Sequence, residues 1–390
     1  MVMSEERSSQ GLTRRVLLRD GAAVGGAALL PAGRASAAPA RRRRRRPTVA
    51  VLGGGVAGLT AAHELAERGF RVTVYERRAF GGKARSVGVP GSATRGRRPL
   101  PGEHGMRFFP GFYQNLPDTM RRIPFGSDPR GTFGNLVAAP QMMLARAGGR
   151  EDIILPMAAE SHPWTPDELG RSLGASIETA TRLPAHEAAW FADRLLVFLT
   201  SCESRRLREW EHRSWAEFTA AERFSEEYRR VLVDSITRQL LAAKASSASA
   251  RTLGLLWEAF LYNASGQTGT GAFDRLLNAP TNEAWIAPWA RHLRRLGVRL
   301  RRGVEIDSLA VRHGRLAGAR ARGPKGRMRI EADWFVLAVP VERARPLLRG
   351  AVTRHDPALG GMGRLTTDWM NGIQFYLREP APIVRGHVLQ

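Results

Sequence analysis

Lysine is nearly absent from these 390 residues: Lys83, Lys244 and Lys325 are the only ones among 60 basic side chains. The formal charge of +24 is therefore almost entirely arginine, and it is spread along the chain rather than gathered on one element. Such dispersion, with no nucleic-acid-binding fold motif beside it, argues against a nucleic-acid partner. It leaves attraction to anionic membranes, and so peripheral membrane association, as what a basic surface favours. Cysteine is scarcer still. Cys202 stands alone, which excludes an internal disulfide and any cysteine-based zinc cluster. No metal is expected on the histidines either, since none of the nine is read in a ligand spacing, and "AHEAAW" at 185–190 lacks the second histidine of a zinc-protease helix. Ser-His-Asp and paired-carboxylate arrangements are also missing, so any chemistry must come from elsewhere than a protein nucleophile.

What is present reads as soluble and globular, with 43% hydrophobic and 25% charged residues. The length exceeds what one core usually serves, so about two domains are expected. The N-terminus reads as processed rather than folded. Paired Arg14 and Arg15 precede a short apolar run, Ala22 to Leu30, and then Ala35-Ser36-Ala37, a small-residue cleavage pattern. Residues 1–40 are thus expected to be a twin-arginine signal peptide, giving export to the periplasm, the exterior or a membrane surface, or a cytoplasmic location if the signal is not used. The apolar run is too short and glycine-rich to span a bilayer. The run "RRRRRRP", Arg41 to Pro47, reads as a self-repelling linker.

Folded sequence starts at Thr48. "TVAVLGG" is a buried parallel strand by its β-branched apolar run, Val56 to Arg68 a helix stopped by Gly69, and "RVTVYE" a second strand, together one βαβ unit. From about Gly126 to Trp285 the texture turns helical. "TPDELGRSLG" carries a capping box of Thr165 with Glu168. "HEAAWFADRLLVFLTS" spaces Trp190, Leu195, Phe198 and Leu199 as a helix does, and Trp257, Phe260 and Tyr262 read as core or pocket lining. Strand texture returns after "RHLRRLG", with a meander turning at His313-Gly314 and Gly323-Pro324 and an apolar strand over Trp334 to Ala338. The reading is an α/β fold with a Rossmann-like nucleotide domain, residues 48–125 and 286–345, interrupted by a helical domain over 126–285. Residues 346–390 then open a second segment of the helical domain.

Gly53, Gly55 and Gly58 spell GxGxxG between the first strand and its helix. A dinucleotide pyrophosphate sits best on the free N–H groups of a helix N-terminus, so side chains are unwelcome at Gly53 and Gly55, while Gly58 permits close helix packing. Glu76, ending the second strand, is placed to accept hydrogen bonds from an adenosine ribose and to repel a 2′-phosphate. Arg77 and Arg78 weaken that repulsion without reversing it. NAD and FAD both remain open at this point.

The next stretch, "RRAFGGKARSVGVPG", resembles the second signature of the flavin-dependent amine oxidase and phytoene desaturase superfamily, in which a GG-[RK] segment packs on the FAD pyrophosphate. Here Gly81, Gly82 and Lys83 stand in that pattern, one residue nearer the acidic position than in the family, with Arg85 following. "GEHGMRFFPGFYQNLPDTMRRIP" resembles the plant-type phytoene and ζ-carotene desaturases and the hydroxysqualene dehydroxylases. In these an E-x-G-x-H-x-F-F segment passes close to the flavin. Glu103, Gly105 and Phe109 match, with Phe108 one place early, while Arg107 replaces the histidine. Val304 matches a residue whose backbone contacts adenine in the family.

The resemblance implies FAD as cofactor, held by Gly53, Gly55, Gly58, Glu76, Arg78, Gly82, Lys83, Arg85 and Val304. It implies hydride transfer from a C–H bond of a lipophilic, isoprenoid substrate to the flavin. An amine substrate and a non-catalytic flavoprotein-like fragment are the alternatives. Arg107 is the single weak catalytic candidate, as a cation stabilising the reduced ring or, equally, as an ion-pair partner of Glu103. His104 reads as an ordinary loop histidine. A C-terminal glycine and acidic segment typical of the superfamily is not found before Gln390, and the chain is read as a fragment of a longer one.

Overall fold

The computed structural model describes residues 45–157, 174, 177–178 and 181–390, apart from 106, 147, 269–270, 370, 382 and 390. The signal-peptide reading, most of the arginine linker and the Thr165–Glu168 capping box lie outside the described residues.

Strand β1, Thr48–Leu52, leads into helix α1, Val56–Glu67, and returns as strand β2, Arg71–Glu76. β1 lies between β2 and the strand Trp334–Leu337, and β2 pairs in turn with Arg299–Arg302; all three pairings are parallel. One sheet therefore joins residues that lie 285 positions apart, as Val49 and Trp334 do. Alternation along β1 explains why it is apolar throughout. Val49 and Val51 face one side, where they pack with Leu59 and Ala62 of α1 and with Trp289 and Leu293 of the helix Ala287–Arg295. Ala50 and Leu52 face the other side, against Val304, Ala319, Ala321 and Ile330. With both faces covered, no polar position is tolerated.

That second face is covered by an antiparallel meander, Glu305–Arg312, Arg315–Gly323 and Gly326–Ile330. His313 and Gly314 form its first turn, both with positive φ. α1 ends as the glycine predicts: Gly69 at φ +84° lets its N–H reach Ala66 O and the Phe70 N–H reach Leu65 O, both at 3.0 Å. This pair of bonds satisfies carbonyls that the last turn would leave open.

A separate helical core contains Phe191 and Phe198 of the helix Ala185–Leu199, Trp215 and Phe218, Tyr228, and Leu253 of the helix Ala250–Ala264. Its 229–240 segment is π-helical. Ser214 with Glu217 forms a capping box, and Ser249 caps the Ala250 helix through the Thr252 N–H. The two long helices cross closely at Gly254, where a Cβ would lie 2.4 Å from the Phe198 ring. Trp257 and Phe260 pack on this core, but Tyr262, expected with them, is half exposed, because it falls on the outward side of the same helix. Among the described residues no helix is long and apolar enough to cross a membrane.

Candidate cofactor site

The β1–α1 turn and the Gly81–Gly82 turn lie against each other. The Gly81 N–H donates to Gly54 O at 2.8 Å, and Gly55 bridges to Gly81. Each glycine has its own reason. A Cβ on Gly53, which also holds φ +113°, would lie 2.4 Å from Ala338 O; on Gly58 it would lie 2.0 Å from Gly53 O. Gly82, at φ +56°, would press a Cβ onto Gly55 Cα at 2.9 Å. Gly54, which the motif leaves unassigned, would strike Phe80 at 2.7 Å and Glu76 at 2.8 Å. All four are demanded by the fold itself.

Gly55 differs. Its backbone is ordinary (φ −73°, ψ −176°), and a Cβ there would meet only Gly82 Cα, at 3.8 Å. Among the described residues nothing requires a glycine at this position. It is also the N-cap of α1, where no side chain caps the helix, so the first N–H groups of α1 are left for a partner from outside. A cradle that a methyl group would fill, at an uncapped helix N-terminus, fits a pyrophosphate.

Glu76 turns back onto this loop. Its Oε2 accepts from the Gly54 N–H at 2.8 Å and its Oε1 from the Arg78 N–H at 2.7 Å. The contribution of Arg78 here is thus its backbone amide, which fixes the carboxylate; each oxygen keeps a further lone pair for a ribose hydroxyl. Val304 donates its N–H to Glu76 O at 3.0 Å, so a nucleotide contact from Val304 has to run through its carbonyl. Arg85 donates to Gly82 O at 2.6 Å and braces the second glycine turn. Lys83 is 80% exposed and lies 3.4 Å from Glu342, directed to that carboxylate.

Beyond the glycines, Glu103 is the hub of a network. It accepts from Ser86 Oγ (2.8 Å) and the Thr281 N–H (2.9 Å) on Oε1, and from Thr281 Oγ1 (3.0 Å) and Arg107 Nη2 (2.7 Å) on Oε2. Burial alone would raise the Glu103 carboxyl, but these donors and the Arg107 charge hold it below its usual value. Arg107 also donates to Thr281 Oγ1, Gly105 O and Ala84 O. With its donors so engaged, Arg107 is the ion-pair partner of Glu103 and clamps the 103–107 loop to both neighbouring segments. His104 is pushed below its ordinary value by burial and by the Arg85 and Arg107 charges, which leaves it neutral at pH 7.

Residues that sequence reading passed over complete this region. Ser86 and Asn282 exchange three hydrogen bonds of 2.8–3.1 Å. Asp274 is buried, accepts from the Phe109 N–H and lies 2.6 Å from His387 Nε2. No local signal marks the Ser86–Asn282 and Asp274–His387 pairs, because the members of each lie more than 100 positions apart in the chain.

One histidine expectation needs correction. His63 and Glu67 of α1 and His292 of the Ala287 helix present ligand atoms all within 4.8 Å of one another, although no histidine was read beside a second ligand. The i, i+4 spacing on α1 was the available signal. The local hydrogen bonding disfavours an ion here. The Trp289 indole N–H, a donor only, points at His63 Nδ1 from 3.2 Å, so that nitrogen carries the lone pair and Nε2 carries the proton, facing Glu67 Oε1 at 3.1 Å. A metal-bound imidazole has the opposite pattern, donating from its second nitrogen.

The sequence model of the family described as flavin containing amine oxidoreductase matches residues 56–364. A carotenoid phi-ring synthase of Streptomyces griseus is 41% identical over 105 residues, 27% of this chain and 19% of that relative. A thiamine thiazole synthase of Pyrobaculum neutrophilum is 74% identical over 35 residues, 9% of this chain and 14% of that relative. The chain thus spans under a fifth of the curated relatives it matches. Among solved structures, an oxidoreductase from Methanosarcina mazei superposes with a TM-score of 0.53 at 14% identity, covering 82% of this chain and 65% of that one, which is a likeness of fold. With the family model matched across most of its length, the chain belongs to the flavin-containing amine oxidoreductase family, a family of FAD-dependent oxidoreductases.

Proposed function

We propose that this protein is an FAD-dependent dehydrogenase or desaturase acting on a neutral, lipophilic substrate of the isoprenoid class. The bound flavin supplies the electron chemistry by accepting hydride from a substrate C–H bond. In this reading Gly53, Gly58 and Gly82 shape the turns, Gly55 leaves the space that admits the cofactor's phosphates, Glu76 holds the ribose, and Arg85 adds positive charge beside the second turn. The Glu103–Arg107–Thr281 network keeps the segment next to the cofactor rigid.

The observation that carries the substrate class is the character of the surface continuing from Glu103. Phe108, Phe112, Phe260 and Phe273 form a chain of ring contacts with centroids 5.3–6.1 Å apart. The carboxylates beside them are engaged: Glu103 by Arg107, Asp274 by the Phe109 and Arg275 amides. His104 is lowered by burial, with the Arg85 and Arg107 charges adding to it and Glu103 opposing. Aromatic rings by themselves accept an apolar chain and, through their faces, an ammonium group alike; the engaged carboxylates and the Arg85 and Arg107 charges are what favour the neutral molecule. The name of the Streptomyces relative, a carotenoid ring synthase, lends the same direction. The family name makes an amine the competing substrate. Export by the twin-arginine route and peripheral membrane association are part of the same reading, since a lipid-soluble substrate is met at a membrane surface.

The test is anaerobic mixing of the FAD-loaded protein with an acyclic carotene precursor in micelles or with a diamine, following flavin absorbance. Bleaching by the isoprenoid supports the proposal. Bleaching by the diamine alone transfers the protein to the amine branch, and bleaching by neither points to a binding role without turnover.

A further inference from the structure

Two helices reach from the cofactor turns to one shared cluster of titratable side chains. α1 starts beside Gly55, the uncapped cradle, and carries His63 and Glu67 further along. The other helical stretch runs without a break from Asn282 to Arg295. Its first residues belong to the cofactor region: Asn282 is bonded to Ser86, and a Cβ on Gly81 would come within 3.0 Å of the Ile286 side chain. Its later residues, Trp289 and His292, meet His63. A shift of either helix at the cluster is therefore carried by a rigid element to a glycine turn.

The cluster contains a contact that only a neutral ring can make. Trp289 donates its indole N–H to His63 Nδ1 at 3.2 Å, and both side chains are fully buried. With Nε2 already protonated toward Glu67, a second proton on His63 goes to Nδ1 and sets two donors face to face. The surrounding charges come from three elements. Glu67 and Glu64 of α1 favour protonation of His63, and Arg122, which follows the helix Asn115–Arg121, opposes it. Arg122 is itself shared among Glu64, Glu67 and Asp118. His292 stands edge-on to His63 with ring centroids 5.0 Å apart, and His63, Arg295 and Arg122 oppose its protonation while Glu67 favours it. Burial outweighs the carboxylates and holds both rings below the ordinary 6.5. Two charged rings at this separation would add repulsion to the lost hydrogen bond. Protons are taken up more readily once the two helices part, so acid favours parting.

We propose that His63, Trp289 and His292 form an acid-sensitive latch that keeps α1 against the helix Ala287–Arg295, so that FAD is held while the rings are neutral and let go on acidification. The latch acts through position: when the helices part, the Gly55 cradle and the Gly81 turn move relative to each other. It concerns the cofactor and does not depend on the substrate class proposed above.

FAD affinity is measured by fluorescence titration of the flavin-free protein at pH 7.5 and 5.5. Amide exchange over residues 56–67 and 287–295 is followed without FAD at the same two values, corrected for the intrinsic effect of pH. Four proteins are compared: wild type; His63→Gln, whose amide oxygen still accepts from the indole but takes up no proton; His292→Gln, at a half-buried ring; and His355→Gln, an exposed control. One proton taken up on release weakens binding by up to about tenfold per pH unit below 6.5. Wild type and His355→Gln are therefore expected to bind about tenfold more weakly at pH 5.5, with faster exchange in both helices. The two cluster variants are expected to weaken by about threefold or less. Wild-type affinity that does not change between the two values, a fall of equal size in both cluster variants and wild type, or wild-type exchange that stays the same overturns the proposal. Absence of FAD uptake already at pH 7.5 removes the cofactor assignment itself and the latch with it, which sets that failure apart from the others.

Discussion

Gly55→Ala separates what the fold needs from what the cofactor needs. The backbone at Gly55 suits alanine without strain, and the new methyl would have one neighbour, Gly82 Cα at 3.8 Å, an ordinary contact. Restricting the unfolded chain stabilises by about 0.4–1 kcal/mol, while alanine is a poorer N-cap than glycine by an amount of similar size. The flavin-free variant is therefore expected to melt within about 1 kcal/mol of wild type. The same methyl occupies space that the phosphates would enter, and an extra methyl in a packed contact costs about 1–3 kcal/mol, roughly 5- to 150-fold in FAD affinity. Gly58→Ala is the contrast, because its Cβ would lie 2.0 Å from Gly53 O and must lift α1 off β1. It is expected to destabilise the flavin-free protein. Thermal melts without FAD and a fluorescence titration with FAD read the two quantities apart. Wild-type FAD affinity in Gly55→Ala, or destabilisation matching that of Gly58→Ala, would refute the reasoning.

Glu76→Ala removes the acceptor for the Gly54 and Arg78 amides, and both stability, by about 1–3 kcal/mol, and FAD affinity are expected to fall; a variant with unchanged affinity by titration shows that Glu76 does not hold the ribose. Arg107→Ala breaks the pair with Glu103 and is expected to raise the Glu103 carboxyl toward its ordinary value, so that the variant is less stable at neutral pH but loses less urea-unfolding stability on acidification than wild type; if the acid limb does not flatten, the Arg107 charge is not what depresses Glu103. His63 is held below the ordinary 6.5 by burial, with Glu67 and Glu64 opposing and Arg122 assisting, and His292 by burial, His63 and Arg295. The folded chain then binds fewer protons than the unfolded chain just below pH 6.5, so stability is complete above that pH and falls on acidification by up to about 1.4 kcal/mol per pH unit per ring; His63→Gln should flatten that slope, and an identical slope would remove these rings as its source.

How much of this was legible depended on the distance over which each constraint acts. β1, α1 and β2 could be read because strand, glycine turn and helix lie within one short stretch and each residue's reason is local: alternation across a doubly covered sheet, an uncapped helix start, a positive φ at Gly69. Gly55 looked like Gly53 and Gly58 in the motif, and only the packing around each shows that two of them serve the fold and one does not. Arg107 shows the opposite limit. Its departure from the family histidine was visible, but its role is set by Thr281 and Ala84, contributed by segments with no pattern linking them to it. The same holds for the His63–Glu67–His292 group, two members of which stood in plain spacing on α1 while its third member and the Trp289 donor came from a helix over 200 positions away. Local sequence can therefore name the nucleotide unit, whereas the charge state of every side chain around it is decided by residues that the fold alone brings near. For that reason the proposed preference for a neutral substrate over an amine rests on Glu103 and Asp274 both being engaged, by Arg107 and by the Phe109 and Arg275 amides, rather than on any motif.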